Sequence, residues 1–101
     1  MSKVADVLAF KARAGQGAEL AQRIPAAKPH VEKEAGTLTW LVLHSNADPE
    51  TVFLVDVFAD SSSLDAHMVG DAARQILGSV PELLAEEIRM HPSAIVSAKG
   101  A

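Results

Sequence analysis

The sequence predicts an α+β protein with one antiparallel sheet and helices packed against it. Strand candidates rich in β-branched and aromatic residues lie near both ends and in the middle of the chain, and apolar residues at helical spacing separate them. The two middle candidates, 36–45 and 51–60, are joined by a short turn-forming segment and predict a β-hairpin. The resulting order β-α-β-β-α-β is that of a ferredoxin-like domain with a four-stranded sheet.

The predicted hairpin is apolar on both faces. In its second strand one face carries Val52, Leu54 and Phe58, and the other carries Phe53, Val55 and Val57. A hairpin that is wet on one side should show a polar face there. Because a chain of 101 residues has helices for only one face, we expect a second copy to cover the other in a homodimer with sheet packed on sheet.

The first half of the chain predicts a strand followed by an interrupted helix. Val4 to Lys11 is the first strand. The helix follows from an apolar stripe at steps of four, three and four, formed by Leu20, Ile24, Ala27 and Val31. Pro25 and Pro29 each remove a backbone donor, so we expect a kink or two short helical pieces. Gly36 is the expected C-terminal cap.

The second half predicts short helices and a last strand. Residues 60–65, which begin with Asp60, offer several N-cap candidates, and among them Ser62 and Asp65 have the spacing of a capping box; the following helix ends at Gly70. Residues 71–77 form another helix, and Pro81 suits the first position of a third short piece. The final strand lies within 88–98, where Pro92 marks a bulge, an edge or the start of pairing.

Composition limits the classes of function. The chain reads as a single domain, 1–101, with a net charge of -4 and scattered basic residues, which argues against a nucleic-acid surface. It has no cysteine, and no apolar run reaches membrane-spanning length, so we expect a cytoplasmic protein with no membrane partner. The four histidines show no pair at metal-ligand spacing, so no metal site is expected.

His67 and Asp56 are the best candidates for chemistry. Leu64, His67 and Met68 lie at i, i+3 and i+4, so the imidazole should face the sheet with the apolar residues. Asp56 is the only charged residue in the middle of its strand, and a hydrogen bond to His67 would satisfy both groups. The pair is either a proton acceptor for a substrate hydroxyl or a structural link between helix and sheet.

Other side chains are candidates for ligand contact. Trp40 and Phe58, and less so Phe53, could form the wall of an aromatic pocket or belong to the plain core. Arg74 could reach an anionic substrate, or it could be solvated. Asp6 lies either in the pocket or in an interface salt bridge. Strand register is open, because a shift of one residue exchanges the faces.

Two short motifs carry a resemblance to a known family. The segment 34–40, Glu-Ala-Gly-Thr-Leu-Thr-Trp, has the form E-x-G-[TC]-x-x-[YFW]. The second motif is Phe53-x-x-Asp56-x-Phe58-x-Asp60 followed by Leu64-x-x-His67. In this order they resemble antibiotic biosynthesis monooxygenase (ABM) domains, also described as quinol monooxygenase-like. The resemblance implies a dimeric α/β barrel with a pocket between sheet and helices in each subunit.

The resemblance also implies oxygenation of a quinol-like or phenolic aromatic substrate without metal or flavin. The catalytic residues would be His67 and Asp56. The implied substrate-binding residues are Trp40, Phe58, Met68, Leu64 and Arg74. Two other functions stay open: a proton-transfer isomerase acting on a small carbonyl or sugar-phosphate metabolite, and a dimer that binds an aromatic ligand without turnover.

The sequence departs from the family pattern at several positions. The strand carboxylate is Asp56 where Glu is usual, and Phe58 stands where Tyr or Trp is common. The chain has no tyrosine, so a mechanism that needs a phenol side chain is excluded. The heme-degrading branch, with an Asn in its first strand and a Trp in its third, is a poor match: this first strand offers Asp6 and Val7.

Overall fold

A computed structural model describes residues 3–100. Its strands are β1 (Val4–Lys11), β2 (Thr37–His44), β3 (Thr51–Phe58) and β4 (Arg89–Ala94), and its α-helices are α1 (Gly17–Arg23), α2 (Lys28–Val31), α3 (Ser61–Met68) and α4 (Asp71–Ser79). The strands form one sheet in the order β2-β3-β1-β4, and every neighbouring pair is antiparallel. The predicted α+β, ferredoxin-like fold is confirmed. Within residues 3–100, every helix falls short of the length and apolarity needed to span a membrane.

The first helical region is divided, as the prolines predict. A 3-10 turn at Pro25–Ala27 separates α1 from α2, which starts one residue before Pro29. The predicted stripe faces the sheet: Leu20, Ile24 and Ala27 are fully buried, and Val31 is nearly so. These residues pack with Phe10, Val52, Leu54, Ile76, Val80 and Leu83 in one core between sheet and helices. Burying each large side chain contributes about 1.5–3 kcal/mol.

One predicted helix cap is wrong, and the structure selects one of the candidates for another. α2 ends at Val31, so Gly36 is not its cap. Gly36 instead lies where β2 begins, and a Cβ atom there would be 2.2 Å from Ser63 Oγ on α3. The N-cap of α3 is Asp60, not Ser62: its carboxylate accepts a hydrogen bond from the Ser63 backbone N–H at 2.9 Å, and the helix therefore starts earlier than the capping-box spacing indicates.

The face of the sheet opposite the helices is apolar and uncovered in a single chain. The register places Leu41 opposite Val55 and Leu43 opposite Phe53, which confirms the predicted parity of β3. Leu41 and Leu43 are 48% and 45% exposed. β4 forms one edge of the sheet, so of the three interpretations of Pro92 the edge strand is the correct one.

Candidate functional site

A row of polar residues crosses the helix-facing side of the sheet. Asp56 on β3 lies directly opposite Asp6 on β1 and opposite Trp40 on β2. Opposed residues in antiparallel strands share a face, so all three point towards the helices. Asp6 and Asp56 are 2% and 1% exposed. The sequence leaves Asp6 either in the pocket or in an interface salt bridge. The structure places it on the helix-covered side of the sheet, where the pocket is expected.

His67 lies over this row. The side chain comes from α3 and is only 6% exposed. Its Nε2 is 3.5 Å from Asp56 Oδ2, while its Nδ1 is 2.6 Å from Glu34 Oε1. The structure thus brings His67 and Asp56 together, but the hydrogen bond that orients the imidazole is made to Glu34, because 3.5 Å is long for such a bond.

Glu34 was missed as a site residue by the sequence reasoning, although it begins the first family-like motif. It lies in the turn between α2 and β2, where periodicity carries no information. Its Oε1 also accepts a hydrogen bond of 2.8 Å from the Thr37 hydroxyl. The absence of a side chain at Gly36 allows α3 to approach this turn through Ser63. The motif therefore places the carboxylate and the histidine helix in contact.

Two aromatic side chains lie next to His67 and Asp56. The Phe58 ring is fully buried and lies 5.1 Å from the His67 ring, centroid to centroid, at an interplanar angle of 46°. Tilted ring pairs at this separation attract each other, so the contact adds to the packing of the imidazole. Trp40 packs against the core, and its indole Nε1 is buried without a hydrogen-bond partner.

A narrow apolar cavity ends at the polar row. It has a volume of about 40 Å³, and Asp6, Asp56 and His67 form its polar end. Its walls are apolar and include Leu8, Leu54, Met68, Ile76 and Ile88. Leu77 and Met90 also line it and are 53% and 48% exposed, which places the mouth between α4 and β4. Small-molecule sites usually measure about 300–1,000 Å³, so an aromatic ligand enters only if side chains at the mouth move.

A second, wider cleft lies on the other side of the imidazole. Its volume is about 300 Å³, and its lining includes His30, Lys33, Glu34, Ser63 and His67. His67 therefore separates the two cavities. Its Nε2 is on the side of the apolar cavity, near Asp56, and its Nδ1 is on the side of the polar cleft, which contains its partner Glu34.

Burial changes the titration of the carboxyl pair. It raises the pKa of Asp56 from 3.8 to about 7; the nearby His67 opposes this shift, and the charge of Asp6 adds to it. Burial likewise raises the pKa of Asp6. One Oδ1 atom of each carboxyl is buried without a hydrogen-bond partner. At neutral pH Asp56 is thus protonated in part of the molecules, whereas an aspartate with the ordinary pKa would be fully ionised.

The remaining predicted site residues lie at different distances from this centre. Met68 lines the cavity. Leu64 is half-buried on the same helix but is not in the cavity wall. Arg74 is 73% exposed and pairs with Asp71 at 3.3 Å, so the structure places it at the surface. Among residues 3–100, no group of three or more His, Cys, Asp or Glu side chains is arranged to hold a metal ion.

Comparison with known proteins gives the family. Residues 4–78 match the family described as antibiotic biosynthesis monooxygenase, ABM. The solved structure of NE2512 from Nitrosomonas europaea, a protein of unknown function, is 30% identical with a TM-score of 0.87 over 98% of this chain and 94% of that one.

Two more distant structures share the fold. Rv0793 from Mycobacterium tuberculosis is 20% identical with a TM-score of 0.85, over 96% of this chain and 98% of that one. SO0527 from Shewanella oneidensis is 24% identical with a TM-score of 0.80, over 94% of each chain. No curated protein matches the sequence at a significant level. On the match over most of its length, the chain belongs to the antibiotic biosynthesis monooxygenase family.

Proposed function

We propose that this protein is a homodimeric monooxygenase that oxygenates a quinol or phenolic aromatic compound with dioxygen and without a cofactor. The observation that carries the proposal is His67, a buried imidazole anchored on one side and facing an apolar cavity on the other. The family match supports the reaction class. The implied dimer would also cover the apolar sheet face that carries Leu41 and Leu43.

His67 is suited to accept a proton from the substrate. Glu34 accepts hydrogen bonds from the Thr37 hydroxyl and from His67 Nδ1, so the ring proton lies on Nδ1. This leaves Nε2 as an acceptor directed into the cavity, beside Asp56. A hydroxyl of the bound aromatic compound would give its proton to Nε2, and Glu34 would stabilise the resulting imidazolium.

The aromatic anion would then react with dioxygen. For a substrate whose reacting carbon carries two hydrogens in its keto form, the anion transfers one electron to dioxygen, and the substrate radical and superoxide combine in a carbon–oxygen bond. The peroxide takes a proton from His67 and loses water, which leaves a carbonyl. The balance is CH2 plus O2 to C=O plus H2O, so the substrate supplies all the electrons. The protein contributes orientation and exclusion of water.

Oxygen uptake with anthrone and simple hydroquinones tests the proposal. We expect His67→Asn to lower kcat/KM by about 10²-fold or more, since general-base catalysis usually contributes about 10²–10⁴-fold. His44→Asn is the matched control, because His44 is exposed and bonded to the Pro49 carbonyl away from the cavity. Full activity in His67→Asn, or the absence of oxygen uptake by the wild type, would reject the assignment; isomerisation of a carbonyl compound without oxygen uptake would favour the proton-transfer alternative.

The oligomeric state can be tested separately. We expect sedimentation to show a dimer for the wild type and a monomer for Leu41→Glu, because the charge would lie in a dry sheet-to-sheet contact. Val69→Glu is the control, since Val69 is 68% exposed on the helical side. A monomeric wild type at micromolar concentration would remove the dimer from the proposal.

A further inference from the structure

The carboxyl pair at the end of the cavity has unused hydrogen-bonding capacity. Asp6 and Asp56 are almost completely buried, and the Oδ1 atom of each has no partner among the described residues. Buried polar atoms are nearly always hydrogen-bonded, so two such atoms on neighbouring strands require an explanation. Both residues line the apolar cavity, which indicates that the missing partner comes from a bound molecule.

The geometry fits one polar group between the two carboxyls. Asp6 and Asp56 are direct cross-strand partners, so their Cβ atoms are about 4.5–5.5 Å apart on the same face. A hydroxyl or amino group at the end of the cavity can therefore reach an oxygen of either residue. Once the carboxyls are ionised, their oxygens only accept hydrogen bonds, so the group that satisfies them must donate; an amine has two N–H donors for the pair, and a hydroxyl has one, which reaches one carboxyl at a time.

The charges around the pair disfavour anions. Neither lysine nor arginine is among the described residues that line the cavity, which is otherwise apolar. The ionisable groups that act on the pair are His67, His91 and Glu34. A carboxylate or phosphate at this end would face two acidic side chains with no permanent cation to offset them.

We propose that Asp6 and Asp56 form a donor-binding subsite, which selects ligands with an aromatic hydroxyl or amine at the buried end and rejects carboxylates and phosphates. The aromatic body would lie along Leu8, Leu54 and Ile76 towards the mouth. This deepens the proposed function by naming the polar group that the site recognises, and it rests on that function for the aromatic part of the ligand. It also disfavours sugar phosphates, which are one of the two substrate types of the isomerase alternative.

The raised pKa values support this subsite. Burial raises the pKa of both carboxyls, and that of Asp56 reaches about 7. A donor hydrogen bond stabilises the ionised form, so ligand binding should release protons near neutral pH. An isothermal titration in two buffers of different ionisation enthalpy measures this release.

Binding under anaerobic conditions tests the subsite without turnover. The probes are 1,4-dihydroxybenzene, 1,4-dimethoxybenzene, aniline and benzoate, followed by NMR titration at about pH 8. For the wild type we expect the diol to bind at least about tenfold more tightly than its dimethyl ether, aniline to bind, and benzoate not to bind. Equal binding of diol and ether, binding of benzoate, or no binding of any probe would overturn the proposal.

Substitution locates the preference. Asp6→Leu should reduce the difference between diol and ether to within about twofold, while Asp65→Leu, at an exposed position on α3, should leave it unchanged. If Asp6→Leu does not fold, Asp6→Asn keeps the shape and adds a donor, and it should admit benzoate. An unchanged preference in the folded variant overturns the subsite. Since oxygen is absent, failure of the monooxygenase proposal alone leaves the binding result intact.

Discussion

Strands β1 and β3 build two very different ends of the same covered sheet face. At one end Phe10 faces Val52, and at the other Asp6 faces Asp56. All four residues are 0–2% exposed, so burial does not distinguish the ends. Their chemistry does: the first end is apolar, and the second contains acidic groups with unpartnered oxygens. The same backbone pairing therefore holds an apolar contact in one place and a buried carboxyl pair a few residues away.

The two ends should affect folding with opposite sign. Apolar side chains gain free energy when they leave water, whereas a buried carboxyl loses hydration and regains it only through partners. An apolar core at one end can therefore stabilise the domain although burial of the carboxyls at the other end costs free energy.

Truncation at the apolar end should be the most damaging. We expect Phe10→Ala to lower the free energy of unfolding by about 3–5 kcal/mol, since it removes a large buried side chain from the core. Urea denaturation measures the loss. Val69→Ala, at an exposed position, should change stability by less than about 0.5 kcal/mol. A Phe10→Ala variant close to wild-type stability would show that this end does not carry the fold.

Neutralising the polar end should stabilise the protein increasingly as pH rises. The pKa of Asp56 is about 7 in the folded chain against 3.8 as the ordinary value, so its stability contribution is present at low pH and lost as pH rises towards 7. The Asp56→Asn variant cannot ionise at this position, so it does not lose this stability as pH rises. Between about pH 5 and about pH 8 the variant should gain roughly 2–3 kcal/mol relative to the wild type.

Urea denaturation across pH measures this gain, with Asp65→Asn on the exposed face of α3 as the control. A stability difference between Asp56→Asn and wild type that does not widen with pH would mean that the pair is satisfied in the folded protein. The polar end would then resemble the apolar end in its effect on folding.

Removing the anchor of the imidazole should affect activity more than stability. Glu34 is only partly buried, with 21% of its side chain exposed, but it holds His67 Nδ1. We expect Glu34→Gln to reduce kcat by about tenfold, because the amide does not stabilise the imidazolium, and to change the free energy of unfolding by less than about 1 kcal/mol. NMR of the imidazole nitrogens should show altered protonation at His67. Glu32→Gln, exposed at the end of α2, is the matched control.

Substitution of Asp60 should have the smallest effect on stability. Its pH dependence should be opposite in sign to that of Asp56, because its pKa is lowered and not raised. Hydrogen bonds from Ser63 and Ser62 lower its pKa, so its contribution is present at neutral pH and lost as pH falls through that lowered value. Asp60→Ala should lower the Tm slightly at neutral pH and leave it unchanged at strongly acidic pH. A Tm difference that persists in acid would show that the cap does not depend on charge.

The fold was predictable because its signals are local and repeated. The run of β-branched and aromatic residues along β3 is typical of a strand, and the apolar stripe from Leu20 to Val31 has the period of a helix. Register is not local: that Trp40 and Asp56 share a face depends on how β2 and β3 align, and the sequence leaves that open. The N-cap of α3 was open because several residues that can cap lie next to one another, and only the folded structure selects Asp60.

The site was predictable only where it lies on regular elements. His67 and Asp56 could be paired because each stands out on an apolar face. Glu34 is in a turn 33 residues before His67, so no periodic pattern connects them. The choice for Asp6 between pocket and interface required the sheet order, which places β1 between β3 and β4. Arg74 could not be placed from its type alone, because helix position decides whether a guanidinium faces ligand or solvent.

Gly36 makes the chemistry of His67 sensitive to a single methyl group. Because a Cβ atom at this position would lie 2.5 Å from the Ser63 Cβ, an alanine there would push α3 away from the turn. The bond between Glu34 and His67 spans only 2.6 Å and would break with a displacement of about 1 Å. The apolar core around Phe10 and Val52 would remain in place. One methyl group at residue 36 would thus change the position of His67 while the fold is kept.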